Sequence, residues 1–471
     1  MRLSAKDLLG LAHREEVRVE SVKGKTFTGV STDSRSVGEG NLFIAIHGEK
    51  FDGHRFVDQA FELGAAAAIV DGNGRALVRS SIPLLVVDDT TQALGNLASV
   101  YRRKFDLPVL AVAGSNGKTT TKEMIAAVLR KKFSVLSTEG NLNNHIGVPL
   151  TLFRLEKKHD VAVVELGTNH PGELGWLCAI TQPTMGLITN IGREHLEFFA
   201  DVDGVEKEES TLFGSLKGVS GATAFVNMDD HRVVRSVPHG LKKTVGYGIT
   251  GRPTYRGKIV GRGANGAAML QIRGGIVRKP FPVALSILGD HNGLNALAAA
   301  AVGLSFRVPW AKVKEALEEF QPTSKRMEVL TVNGVTVLND TYNANPDSMR
   351  AALHTLAGMR GAGKCIAVLG DMRELGGGSA EEHLGIGQEA RSLGIEYLLT
   401  IGDQGKHINE GFGRDGGFHY DQKSTLAEYL AELVGPGDVV LVKASRGMKL
   451  EDVVTFLASQ LGSPVPRYGH Q

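Results

Sequence analysis

The chain is 471 residues long, with 53 Lys and Arg against 51 Asp and Glu, a formal charge of +2, and 42% hydrophobic residues. That mix describes about three folded domains at ~150 residues each and excludes a disordered chain; the balanced charge sum gives no sign of a nucleic-acid groove or a polybasic membrane anchor. Two cysteines, Cys178 and Cys365, exclude a disulfide framework and a Cys-built zinc site. The 59 glycines exceed the usual ~7% share without the period of collagen, and they cluster at strand-to-helix turns. No apolar stretch exceeds strand length, and MRLSAKDLLGLAHREE lacks the apolar run of a leader. The expected compartment is the cytoplasm, with no membrane insertion.

In chain order, residues 1–106 read as a small α/β unit. FTGVSTDSRSV is polar and turn-rich, NLFIAI is a short buried strand, RFVDQAFELGAAAAIV is a helix running into a strand, and IPLLVVDD is another strand. TTQALGNLASVYRRKF follows as a helix capped by Thr90 or Thr91, with basic residues in its last turn. Residues 107–320 alternate strand and helix. VLAVAG, DVAVVELG and MGLITNIG are continuous apolar runs, as suits parallel strands covered on both faces. Short Gly-rich β segments (TAFVN, TVGYGI, AAMLQIRG) precede the helix DHNGLNALAAAAVGLSF, whose Leu294, Leu297, Ala301 and Leu304 share a face. Gln321-Pro322 closes this unit. In residues 321–471 the strands TVLND, KCIAVLGD, EYLLTIG and GDVVLVKAS alternate with helices, the order of an open doubly wound sheet. The expected fold class is α/β in three domains: a small N-terminal unit, a central P-loop-type mostly parallel sheet, and a C-terminal Rossmann-like sheet.

The strongest local signal is VLAVAGSNGKTTTKEMIAAVL: a strand, a glycine turn, Lys-Thr, then a helix. Backbone amides of Gly114, Ser115, Asn116 and Gly117, with the helix start through Thr120, would cradle the phosphates of ATP. Lys118 would reach the β- and γ-phosphates and the Thr119 hydroxyl would hold Mg²⁺. The common P-loop has a glycine where Val112 stands here; the spacing Gly114-x-x-Gly117-Lys118-Thr119 is a shorter form. The competing reading is a tight glycine turn with a surface lysine. Glu165 ends a strand at the top of the parallel sheet, where a carboxylate can share Mg²⁺ with ATP phosphates. His195 ends the next strand beside a turn. Taken singly, Glu165 reads equally as a solvated strand-end acid and His195 as a satisfied turn histidine; nearness to the phosphate loop favours the metal.

The short loop resembles that of the Mur ligases and the related folylpolyglutamate synthases. Seven further segments match the Mur pattern in order: NLNNHIGVPLTL, VVELGTNHPGEL, ITNIGREHLEFF, GDHNGLNALAAAA, SKRMEVL, NDTYNANPDSMRAAL and VLGDMRELG. ELGTNHPGEL, DTYNANPDSM and GDMRELG are similar to one branch, which joins D-alanyl-D-alanine to a UDP-N-acetylmuramoyl-tripeptide. The resemblance covers almost the whole chain and implies an ATP-dependent, ADP-forming amide ligase of peptidoglycan precursor synthesis. A sister ligase adding a single amino acid, or a P-loop switch with no bond-forming activity, are the alternatives. It also implies roles residue by residue. Lys118, His195 and Glu209 would be catalytic, with Thr119, Glu165, His195 and Glu209 serving metal. Asn292 would contact adenine, Arg326 would reach ATP, and Asp340 would position the nucleotide. Tyr342, Asn343 and Asn345 would line the cleft. Thr32, Ser34 and Arg35, with Asp33, would hold uridine diphosphate, and Asn143, Asn144 and Thr168 would face the muramoyl-peptide. Phe51, Asp52, Gly53 and His54 read mainly as a structural turn.

One departure matters. Many Mur ligases carry a carbamylated lysine fourteen residues after this His, and here Glu209 stands at that place. Glu209 would then supply the negative charge directly; the alternative is a solvated helix face shared with Glu206 and Glu208. The absence of a long heptad or apolar stripe suggests a monomer.

Overall fold

The computed structural model describes residues 3–4, 6–8, 24–48, 51–78, 83–263, 266–321 and 324–462. Most of the N-terminal segment read for a leader, and Pro322 of the second boundary, lie outside the described residues. Besides a short antiparallel pair, Leu3–Ser4 with Thr26–Phe27, three larger sheets follow one another along the described residues. The first holds four short parallel strands, β1 (Val30–Ser31), β2 (Leu42–Ile44), β3 (Ala67–Asp71) and β4 (Leu84–Val87). Helix α1 (Thr90–Arg102) follows. Its cap is neither Thr90 nor Thr91: the Asp89 side chain accepts from the amides of Thr91 and Gln92. An anionic acceptor satisfies the orphan amides and the helix dipole together. At the other end Arg102 is buried and donates to the carbonyls of Phe105 (2.6 Å) and Thr181 (3.2 Å), tying α1 to the central unit.

The central sheet has nine strands: β5 (Val109–Ala113), β6 (Val135–Ser137), β7 (Val161–Glu165), β8 (Met185–Ile188), β9 (Thr223–Asn227), β10 (Thr244–Gly248), β11 (Tyr255–Arg262), β12 (Ala268–Gly274) and β13 (Val277–Ala284). Their spatial order is β13-β12-β11-β10-β9-β8-β5-β7-β6. Strands β6 to β11 pair in parallel, and β12 and β13 add an antiparallel ribbon at one edge. Every residue of β5, β7 and β9 is buried, the physical basis of their unbroken apolar runs. Helix α2 (Lys118–Arg130) leaves β5 directly, α3 (Val202–Glu209) follows β8, and the alanine-rich α4 (Asp290–Ser305) packs against α2 and the sheet.

The third sheet orders β14 (Glu328–Val332), β15 (Val335–Asn339), β16 (Cys365–Gly370), β17 (Tyr397–Ile401), β18 (Gly417–Tyr420) and β19 (Val439–Lys443) as β14-β15-β19-β16-β17-β18, all parallel except edge strand β14. Helix α5 (Pro346–Gly358) begins in a capping box between Asn345 and Ser348, and α6 (Ser379–Ser392) follows β16. One apolar cluster runs from α2 and α4 (Met124, Leu297) into the third sheet (Leu338, Leu369); a second joins α1 to the other face of the central sheet (Leu94, Leu97, Ile180). Both neighbouring units are thereby packed on the central one. The turn at residues 51–54 is structural: buried His54 bonds Asp52 through Nδ1 (2.7 Å) and accepts the Asp71 amide on Nε2 (3.1 Å).

Candidate active site

The C-terminal ends of β5, β7 and β8 open into a cleft of about 1220 Å³, walled on its far side by loops of the third sheet. The loop after β5 turns through Gly114 (φ +113°) and Gly117 (φ +79°). A Cβ on Gly117 would lie 2.8 Å from the Asn295 Oδ1, so both backbone and space demand glycine. The Gly117→Ala variant should lose ATP affinity at least tenfold, with about 1–2 kcal/mol of backbone strain. Calorimetric titration with ATP checks this, and unchanged affinity would refute it.

Lys118 begins α2 and folds back over the loop, donating to the Gly114 carbonyl and to Glu194 Oε2 (3.3 Å). Burial alone would lower its pKa, but Glu194, Glu209 and Glu165 hold it above the ordinary lysine range, so it stays charged. Glu165, only 1% exposed, accepts on Oε1 from the Thr119 hydroxyl (2.9 Å) and the Asn143 amide (2.8 Å). Glu209 is not on a solvated face: it is 1% exposed at the end of α3. Burial first, then Glu194, pushes its carboxyl up to about 8 against the pull of Lys118 and the Gly114 amide. Its neighbour Glu208 accepts from Thr168 Oγ1 (3.1 Å) and the Gly172 and Leu174 amides, locking Thr168 into a structural network. Glu165 Oε2, Glu194 Oε1 and Glu209 Oε2 are buried without a hydrogen-bond partner.

His195 does not end a strand. β8 stops at Ile188, and His195 sits at φ +51° before the short helix Leu196–Phe199. Its Nδ1 bonds Glu374, on the loop after β16, and its Nε2 lies 3.9 Å from Glu194. The His195 contact holds Glu374 below the usual carboxylate range. The central and third units meet again at Asn116. Its backbone pairs with the Asn190 amide (3.0 and 2.9 Å), and its side chain accepts from Asn345 (2.9 Å). Nearby, Asp347 accepts from the Arg193 amide (2.8 Å) and guanidinium (3.1 Å).

Ser115 accepts from the Gly192 amide (2.8 Å), and Thr120 lines the cleft beside it. Asn292 donates to Leu288 O (2.7 Å) and accepts from Asn295 (2.9 Å); the helix cap itself is Gly289. Arg326 stacks on the Tyr342 ring at 3.7 Å. Asp340 accepts from Lys443 (2.6 Å), which also donates to Asn343 O (2.8 Å). Asn144 lines the cleft while capping the helix Gly147–Phe153 through the Gly147 amide (2.9 Å). Thr32, Ser34 and Arg35 stand apart from the cleft: Ser34 bonds Gln59 (3.0 Å) and Arg35 pairs with Asp33 (2.7 Å). The first unit reaches the cleft through Thr91 and Gln92 instead.

Sequence reasoning assigned no role to Glu194, Glu374, Lys443 or Asn190. Lys443 carried a legible signal, a cation ending an apolar buried strand. Glu194 meets Lys118 only through the side-by-side placement of β8 and β5.

Three family models match the chain: "Mur ligase family, catalytic domain" over residues 26–102, "Mur ligase middle domain" over 112–303, and "Mur ligase, glutamate ligase domain" over 325–446. The UDP-N-acetylmuramoyl-tripeptide–D-alanyl-D-alanine ligase of Bacillus subtilis is 36% identical, covering 91% of this chain and 93% of its own. That of Escherichia coli is 37% identical, covering 92% and 94%. The crystal structure of MurF from Acinetobacter baumannii superposes with a TM-score of 0.87 at 30% identity, over 98% of this chain and 99% of that one. The MurF ligase of Thermotoga maritima in complex with ADP superposes at 0.81 and 29% identity, over 92% and 97%.

Proposed function

The chain belongs to the Mur ligase family, and from that premise we infer that it is the ATP-dependent ligase adding D-alanyl-D-alanine to a UDP-N-acetylmuramoyl-tripeptide in peptidoglycan synthesis. The observation carrying the reading is Lys118, half-buried among carboxylates at the start of α2 in a cleft walled by the third sheet. A carboxylate and an amine do not condense in water, because hydroxide leaves poorly. Transfer of the γ-phosphoryl group of ATP to the tripeptide carboxylate makes an acyl phosphate, whose leaving group is phosphate. Lys118 and the loop amides hold the transferring group and neutralise its charge. The dipeptide amine then attacks the acyl carbon, and phosphate departs. With an α-amino pKa of ~7.7–8 a useful fraction of that amine is neutral at mildly alkaline pH, so no dedicated base is assigned.

We place Mg²⁺ at Thr119 and Glu165, with His195 and Glu209 serving a second ion. Among the described residues no group of three or more His, Cys, Asp or Glu could hold a metal ion. Mg²⁺ commonly takes one or two carboxylates and completes its shell with substrate phosphates. The orphaned, buried oxygens of Glu165 and Glu209 fit that pattern. When bound, the ion would neutralise phosphate charge during transfer.

The adenosine side is assigned to Asn292, Arg326 and Asp340, with Asn343 and Asn345 closing the cleft. Asn143, Asn144 and Thr168 would flank the muramoyl-peptide, and Thr32, Ser34 and Arg35 on the first unit would hold the distant uridine diphosphate. We set the domain boundaries at 106/107 and 320/321. No helix among the described residues is long and apolar enough to cross a membrane, and consumption of ATP places the reaction in the cytoplasm. ADP release should require ATP, the UDP-linked tripeptide and D-alanyl-D-alanine together, and fall about 10²-fold or more when single amino acids replace the dipeptide. Equal rates with single amino acids would assign a sister activity; release with neither co-substrate would assign a nucleotide switch.

A further inference from the structure

The near-zero charge sum conceals a strong segregation. Residues 231–289 contain eleven Lys and Arg and no Asp or Glu. Arg232 and Arg235 pair with Asp203 and Glu206, and Arg262 pairs with Asp290. The other eight form no ion pair among the described residues. Five of these, Arg256, Lys258, Arg273, Arg278 and Lys279, sit on the antiparallel ribbon β11-β12-β13.

The ribbon is two-faced. Tyr255, Leu270, Ile272, Phe281 and Val283 point inward and are buried. On the outer face register sets Arg256 directly opposite Arg273, and Lys258 opposite Gln271. Like charges facing each other across a ladder destabilise it, so this arrangement is selected against by folding alone. Among the cations stand exposed apolar side chains: Ile276 at the hairpin tip (64% exposed), Val260 (50%) and Met269 (36%). No described residue of the ribbon lines the catalytic cleft.

We propose that the outer face of the 255–284 ribbon is a docking surface for an anionic lipid bilayer. Unpaired cations gain from a negatively charged surface, and aliphatic side chains beside them suit the headgroup boundary. A nucleic acid would call for aromatic stacking, and among the described residues the ribbon's outer face carries no exposed aromatic ring. The contact is peripheral and leaves the catalytic cleft untouched.

Cosedimentation of the full chain with vesicles tests it. The protein should partition at least about tenfold more strongly onto vesicles with roughly one-third phosphatidylglycerol than onto pure phosphatidylcholine, and release as salt rises. The quadruple variant Lys258→Gln, Arg273→Gln, Arg278→Gln, Lys279→Gln should lose that preference while keeping its ligase rate in vesicle-free solution. Ile276→Ser alone should weaken binding severalfold without changing its salt dependence. Equal partition onto both vesicles, undiminished binding of the quadruple variant, or tighter binding of a single-stranded oligonucleotide than of anionic vesicles would overturn the proposal.

Discussion

The Lys118→Ala variant is expected to lose about 10²–10³-fold in kcat, the usual cost of removing one preorganised charge from a transition state. Lys118 is the cation facing the glycine loop, and Glu194, Glu209 and Glu165 raise its pKa so that no physiological pH discharges it. Lys118 itself does not titrate from pH 6 to pH 9, so any pH dependence of the loss reports Glu209, whose carboxyl Lys118 pulls down. Removing Lys118 also leaves Glu194 and Glu209 without that cation, while Glu165 keeps Lys122 at 3.9 Å, and unpaired buried charge is costly. Lys118→Ala should melt lower than the parent at alkaline pH, where Glu209 is most ionised, and recover toward acid pH. Steady-state ADP release and thermal unfolding across pH measure both effects. Turnover above about a tenth of the parent rate would remove Lys118 from the chemistry.

The second large effect is expected at Glu209. The carboxyl is pushed up to about 8 by burial and by Glu194, against an ordinary 4.5. Between those values the folded chain holds a proton that the unfolded chain has released. This contribution to stability is full below about pH 4.5 and falls as pH rises toward 8. Glu209→Gln carries no titrating proton, so its melting temperature should exceed that of the parent at pH 8.5, by roughly 2–4 °C per kcal/mol of penalty removed. Its ligase activity should fall about 10²-fold or more, because a neutral amide offers a cation no charge. Parent activity should rise with pH through 7–8 as Glu209 ionises, and Glu209→Gln should lack that rise. A variant that is both active and no more stable would show Glu209 to be packing alone.

Much of the fold was legible because its signals are local. β5, β7 and β9 are continuous apolar runs since both faces are covered, and α2 follows a loop that only glycines can turn. The basic ribbon was harder. β11 is bulged between Ile259 and Gly261, the pairing of β12 with β13 shifts register between Ile272 and Gly274, and the exposed faces carry charge. Their polarity is that of a loop until the register is known. The balanced charge sum also hid them, because a sum holds no positions.

The candidate site divides in the same way. Residues within one turn of β5 declared their chemistry by spacing: Gly114, Gly117, Lys118 and Thr119 lie together in any conformation that places a strand before a helix. Those that complete the site come from afar. Glu194 stands 76 residues after Lys118, Glu374 179 residues after His195, and Asn345 229 residues after Asn116. What the amino-acid order determined by itself was the sequence of strands and helices and the phosphate turn, since dihedral preference and hydrophobic period act over a few residues. Which acids surround Lys118, whether Glu209 meets water, and where the unpaired cations gather were decided by strand order and domain packing. Burial and charge proximity are properties of three-dimensional neighbours, which a linear pattern does not contain.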